Sequence, residues 1–299
     1  GPQGGDGGFA EVSGKRVLDF RGTADLRAER GEAGELLLDP TDLEIWDASQ
    51  NSNIERNGNV WSPASGGSTS YLSVSQLQQA LANANVTVST VGSPDTVGDN
   101  GDITLLDPLD GGASSNRLKL EAAGDIHLAN DIYSDGNMDF WADADGSIVP
   151  DYGSWELGTF SKPLRHIRLT ARGSTESGVA IRTGDINATH LELESAGGEV
   201  EQYGDFSSTR IKAEELVLLG SNGAVFKLSG DNEVANLAGE IDGPLSFRNT
   251  VDMFVKELTG GISGKQYDGL SSAGAEVTLE STANISGVNI NTRVVRDDP

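Results

Sequence analysis

RLKLEAAGDIHLANDIYSDGNMDFWADADGSI, residues 117–148, decides the fold. Leu118 and Leu120 alternate with Arg117, Lys119 and Glu121 before Gly124-Asp125 turns the chain, and Ile126 and Leu128 then resume the alternation. Ile132 follows a second turn, Met138 and Phe140 follow Gly136-Asn137, and Gly146 and Ile148 close the unit. Two-residue periodicity marks strands with one buried face, and Gly, Asp and Asn supply the turns between them.

The same phrase returns with other letters: Ile167-Arg-Leu169 with Gly173, Ile181 with Gly184-Asp-Ile186, Leu191-Glu-Leu193 with Gly197, and Leu216-Val-Leu218 with Gly220. The leading apolar residues recur roughly every 20–30 positions, the range of stacked repeats. A strand triplet of this size cannot bury its apolar face alone, but stacking on its neighbour completes a continuous core. The expected fold is all-β: a right-handed parallel β-helix, a solenoid with one coil per repeat, one short flanking helix and loop excursions. Leu118, Leu120, Ile126, Leu128, Ile167, Leu169, Leu191, Leu193, Leu216 and Leu218 are the expected inward positions, and the three histidines, His127, His166 and His190, are expected to point outward.

Working outward, residues 1–8 read as a flexible Gly-rich lead, and 9–299 as a single β-helical segment with excursions at about 49–84 and 143–165. Val17, Leu18 and Phe20 open one coil; Leu36, Leu38, Leu43 and Ile45 form the next, cornered at Asp39-Pro40. Pro cannot donate to a sheet ladder, so a strand should stop there. Ser73-Val-Ser-Gln76 has the form of a capping box, and Val74, Leu77 and Leu81 follow at helical spacing, which predicts a helix over 74–83 on the solenoid flank.

Composition narrows function. The net charge of −25 argues against nucleic acid, whose binding is driven by cationic residues, and against adsorption to anionic membrane. No stretch approaches the length of a membrane-spanning apolar helix, so no membrane insertion is expected. With no Cys, disulfides and thiolate metal sites are excluded.

Five phrases in fixed order carry a resemblance: GGFAEVSGK (7–15), LLLDPTDLEI (36–45), LSVSQLQQALANANVTVSTVGS (72–93), NGDITLLDPL (100–109) and LKLEAAGDIHLANDIYSDG (118–136). They resemble an internal segment of the β-helical exoproteins of the filamentous haemagglutinin type. That resemblance implies two-partner secretion through an outer-membrane β-barrel transporter partner. It also implies location outside the cell, secreted or on the bacterial surface, and no catalytic residue. The expected function is a structural and adhesive stalk segment of a large secreted adhesin, supporting attachment to cells, host or biofilm matrix, with a polysaccharide or host-surface receptor as partner. Two alternatives stay open: a β-helical polysaccharide-degrading enzyme, and the delivery stalk of a contact-dependent toxin. An enzyme should show carboxylates from adjacent coils converging in a groove.

Chemistry-bearing patterns are sparse. His190, Glu192 and Glu194 alternate along one strand face and are ligand types for Zn²⁺, but ligands on a flat strand diverge, and a solvated face is the simpler reading. Asp143-Ala-Asp145-Gly146 lacks the further oxygen ligands of a Ca²⁺ loop, with Trp141 and Tyr152 at the positions concerned, and reads as a turn. No cofactor, catalytic residue or metal ligand is assigned. Residues 140–160 concentrate aromatics, with Lys162, Arg165, His166, Arg168 and Arg172 just beyond. Aromatic faces stack on sugar C–H groups and Arg clamps carboxylate or sulfate, so Tyr152, Trp155, Arg165 and Arg168 are candidate contacts to a glycan carrying some negative charge. The competing reading puts Trp141 and Phe160 in the core and leaves the basic run to balance nearby acids.

Overall fold

Parallel pairing between segments about one repeat apart organises the chain. The computed structural model describes residues 5–13, 18, 20, 22–39, 42–47, 54–57, 60–63, 69–91, 100–150, 156–158, 162–204, 209–260, 264–287 and 290–291. On the first face Phe9–Ser13, Glu35–Asp39, Asn85–Ser89, Arg117–Ala122, Asp139–Ala144 and Leu164–Ala171 lie side by side in parallel. Asp185–Ser195, Ile211–Gly220 and residues 233–240 of the long strand Val225–Glu240 extend the row. A second face runs from Asp42–Trp46 through Ile103–Leu105, Ile126–Leu128 and Ile148–Val149 to Val179–Thr183, Glu199–Gln202, the first residues of Val225–Glu240, Leu245–Asn249 and Val277–Ser281. Leu109–Asp110, Ile132–Tyr133 and Glu156–Leu157 make a shorter third face, which the first residues of Asp185–Ser195 continue. The chain is a parallel β-helix. Among the described residues no helix is long and apolar enough to cross a membrane.

The core follows the alternation. Leu118 stacks between Val86 and Phe140, and Leu191 between Ile167 and Leu216. None of the ten expected inward residues is more than 1 % exposed, and all belong to one apolar cluster running through the stack. Fully burying one such side chain contributes about 1.5–3 kcal/mol.

The Gly-Asp phrases are corners, and their pairing is physical. Asp42 Oδ1 accepts the backbone N–H groups of Gly101 and Asp102, Asp102 Oδ1 accepts that of Asp125, and Asp125 Oδ1 accepts both the N–H and the hydroxyl of Ser147. Each carboxylate thus clamps the corner of the next coil. The glycines leave room for it: a Cβ on Gly124 would lie 2.1 Å from Asp102 Oδ1, and one on Gly146 would lie 2.2 Å from Asp125 Oδ1.

Several expectations change. The stretch 117–148 is not one coil, because Leu118 faces Phe140 and Leu120 faces Ala142 in the next rung. Ala142 is buried where the rungs on either side carry Leu120 and Leu169, which weakens the periodic signal. Ile181 and Ile186 do not start a coil either; Ile181 pairs with Ile148 on the second face, and Ile186 with Leu157 on the third. Leu18 and Phe20 are buried outside any strand, and the rung preceding Glu35–Asp39 is Phe9–Ser13. Thr69–Ser73, within the stretch read as an excursion, pairs in parallel with Asp42–Trp46.

The helix spans Val74–Leu81, and Ser73 stands at its N-cap without a capping side-chain bond. Its hydroxyl meets that of Ser75 instead, at 2.8 Å, so the capping box does not form. Nor does the helix merely lie on the flank. Val74, Leu77, Ala80 and Leu81 enter the main core, which holds the helix by its apolar face.

Candidate binding groove

Outward side chains of the first face form rows that cross the coils, because parallel register sets equivalent positions beside one another. One row reads Arg117, Asp139, His166, His190 and Glu215; the next reads Lys119, Trp141, Arg168, Glu192 and Val217; a third reads Glu121, Asp143, Thr170, Glu194 and Leu219. Charges are matched across and within coils. Arg117 bonds Glu35 at 2.5 Å, Arg168 bonds Glu194 at 2.7 Å, and Arg172 pairs with Asp143. His166 and His190 stack with ring centroids 4.7 Å apart, flanked by Asp139 at 3.2 Å and Glu215 at 2.7 Å. Burial pushes the Asp139 carboxyl up, but hydrogen bonds from His166 and Arg165, with the Arg165 charge, outweigh it and hold the group below its ordinary range.

The second and third rows turn apolar at Val217 and Leu219, and there the chain adds a cover. Glu257–Thr259 and Gln266–Asp268 form an antiparallel hairpin, with Leu258 opposite Tyr267. Leu258 and Tyr267 pack on Val217 and Ala238 as a second small core outside the solenoid. Beside this hairpin lies an open groove of about 570 Å³. Its walls hold Arg168, Glu194, Glu240, Asp242 and Lys265, and Leu219 lines it among them. Lys265 bonds Glu240 at 2.6 Å and sits 5.0 Å from the centre of the Tyr267 ring. The strand register brings together groups from several coils here, since Glu194 faces Leu219 and Leu219 faces Glu240.

The candidate glycan contacts fall in different places. Arg168 lines the groove. Arg165 instead grips both oxygens of Asp139, at 2.7 and 2.5 Å, in the first row, and this bond holds its guanidinium pKa above the ordinary value. Tyr152 and Trp155 lie outside the described residues, as does Phe160. Trp141 is not core: it stands half-buried on the outward face, with the Arg117 guanidinium 4.4 Å from its ring centre. Glu192 departs from the solvated face expected of it. It is 2 % exposed, 3.9 Å from Arg168, and faces Val217 beside the hairpin's apolar patch. His127, His166 and His190 are all partly exposed, each followed by a buried aliphatic residue.

The hairpin had a signal that alternation alone passes over. Leu216-Val-Leu218-Leu219 is an unbroken apolar run, the mark of a strand buried on both faces, and the Gly-rich stretch 260–264 sits between two short segments carrying Leu258 and Tyr267.

Two other acidic places bear on chemistry. Asp102, Asp125 and His127 bring one ligand-type atom each within 4.8 Å of one another, but both carboxylates already serve the corner clamps. Glu156, Asp185, Arg210 and Lys212 line a cleft of about 20 Å³, room for one water. Burial, then the charges of Asp131 and Asp185, push the Glu156 carboxyl up.

Fold and groove together define a class: a parallel β-helix with charge-matched outer rows and a hairpin-walled groove on one face. Comparison with protein-family models, with curated proteins and with solved structures finds no match.

Proposed function

We propose that the chain is a structural and adhesive segment of a secreted bacterial surface adhesin of the filamentous haemagglutinin type, exported through an outer-membrane β-barrel partner. The observation that carries this reading is the outer surface of the first face. Charged pairs link neighbouring coils along it, and the carboxylates of the groove beside the hairpin are spent on Arg168, Lys265 and a corner N–H at Gly223. Such a surface suits spacing and recognition; a hydrolytic site instead needs a carboxyl held ready for proton transfer beside room for a sugar. The net charge of −25 keeps a long, strand-rich body soluble outside the cell. The test is attachment: beads coated with the chain should adhere to epithelial layers or to biofilm matrix more than beads bearing an unrelated protein of similar negative charge. Equal adhesion of the two would defeat the proposal.

A polysaccharide-degrading enzyme is the second reading, and Glu156 is the observation that favours it. Its raised pKa, with Asp131 and Asp185 contributed by neighbouring coils, has the form of an acid–base site. The cleft of about 20 Å³ admits a water but no sugar ring, which ranks this reading below the first. Release of reducing ends or unsaturated uronides from a polysaccharide panel, abolished by Glu156→Gln, would reverse the ranking.

A further inference from the structure

We infer that the groove beside the 257–268 hairpin is a binding site for a neutral oligosaccharide, and that it disfavours the acidic glycan suggested by the basic run; this rests on the adhesive reading and gives it a ligand class and a place. A volume of about 570 Å³ lies within the range of small-ligand sites. The character of the walls decides the class. The groove holds two cations, Arg168 and Lys265, against three carboxylates, Glu194, Glu240 and Asp242. Arg168 is bonded to Glu194 at 2.7 Å and Lys265 to Glu240 at 2.6 Å, so both cations are already engaged.

An anionic ligand would have to displace a carboxylate from each cation it used, and would then face that carboxylate, Asp242 and the field of a strongly acidic chain. A cationic ligand would in turn compete with Arg168 and Lys265 for the same carboxylates. A neutral sugar meets neither obstacle. Each hydroxyl donates and accepts, so it can bridge a cation and its carboxylate without separating them, at two such pairs whose carboxylates, Glu194 and Glu240, flank Leu219 in one row. Half-buried Leu219 supplies an apolar surface for a C–H face, and the hydroxyl of exposed Ser221 adds a further donor and acceptor at the rim.

The hairpin is what makes the site. Lys265 belongs to it and reaches Glu240 in the solenoid, while Tyr267 behind Lys265 is 2 % exposed and anchors that wall on Val217 and Ala238. The anchor sets Lys265 against Glu240 beside the solenoid's own Arg168–Glu194 pair before a ligand arrives, which reduces the ordering cost of binding.

The experiment uses the full chain and tetrasaccharides of glucan, mannan, galactan and N-acetylglucosamine. Tetragalacturonate and a heparin tetrasaccharide serve as the acidic counterparts. Binding is measured by saturation-transfer NMR and calorimetry. At least one neutral tetrasaccharide should bind, and neither acidic one should bind more tightly. Ser221→Trp, which fills the groove from an exposed position, should weaken that binding about tenfold or more. Glu240→Gln, which removes one charge pair without changing size, should weaken it about threefold or more and serves if the Trp variant fails to fold. Preference for an acidic tetrasaccharide, no neutral binding, or neutral binding equal in wild type and the groove variants would each overturn the inference. The bead assay separates the two levels: attachment that survives Ser221→Trp removes the groove and leaves the adhesive reading, whereas no attachment by wild type removes the adhesive reading itself.

Discussion

Leu191→Ala tests the stack where it is most regular. Leu191 is 1 % exposed and sits between Ile167 and Leu216, both in parallel register with it. Truncation removes the side chain beyond Cβ, a transfer loss of about 2.4 kcal/mol at about 0.8 kcal/mol per carbon group. The remaining cavity adds to this, because the residues above and below are fixed by their own ladder bonds and cannot collapse into it, and such substitutions cost about 2–5 kcal/mol in all. We expect about 3–4 kcal/mol here, measured by urea unfolding at about pH 7 with the slope compared between variants. Since a solenoid can open in parts, hydrogen exchange should show the loss centred on the rungs around Leu191. The neighbouring Glu192→Ala is the informative contrast. Alternation alone predicts almost no effect, but Glu192 is 2 % exposed, so truncation should cost about 1 kcal/mol through lost packing. Arg168 keeps Glu194 at 2.7 Å, so no bare cation is left behind. A loss below about 1 kcal/mol for Leu191→Ala, or equal losses for the two variants, would refute the inward assignment.

Tyr267→Ala should release the hairpin at a cost of about 3–5 kcal/mol to its local stability, read as faster protease nicking near 260–264 with the solenoid's far-UV signal retained; unchanged nicking would sink the second core. Gly124→Ala should destabilise the chain, since the added Cβ would meet Asp102 Oδ1 at 2.1 Å, and urea unfolding showing no loss would contradict the corner clamp. Asp139 and Glu156 should give opposite pH slopes. The lowered Asp139 pKa stabilises the fold above the ordinary value of 3.8, and that gain is lost as pH falls through the folded pKa, so the advantage of wild type over Asp139→Asn should shrink in acid. The raised Glu156 pKa does the reverse: its favourable contribution is present below the ordinary value of 4.5 and is lost as pH rises through the folded pKa, so Glu156→Gln should be the more stable form at neutral pH and lose that margin in acid. Parallel pH profiles for the two variants would contradict this pair of shifts.

What could be read from the letters was local. Alternation places Leu118, Leu120, Leu191 and Leu193 inward because side chains on a strand change face at every residue, and no distant information enters that rule. Gly-Asp marks corners because the turn needs those residue types, although the carboxylate clamps across coils do not follow from the turn itself. The outer surface obeyed a different rule. A side chain there is defined by what lies one coil away, and this depends on the length of every intervening loop. So Arg165 and Arg168, three residues apart, went to Asp139 and to the groove. Trp141 found Arg117 and stood outward, whereas Glu192 was covered by neighbours that alternation does not name. The hairpin needed both Val217 and Ala238 to be placed side by side by register before Leu258 and Tyr267 had a surface to cover. Periodicity along the chain therefore determined the core, and register between coils determined the groove.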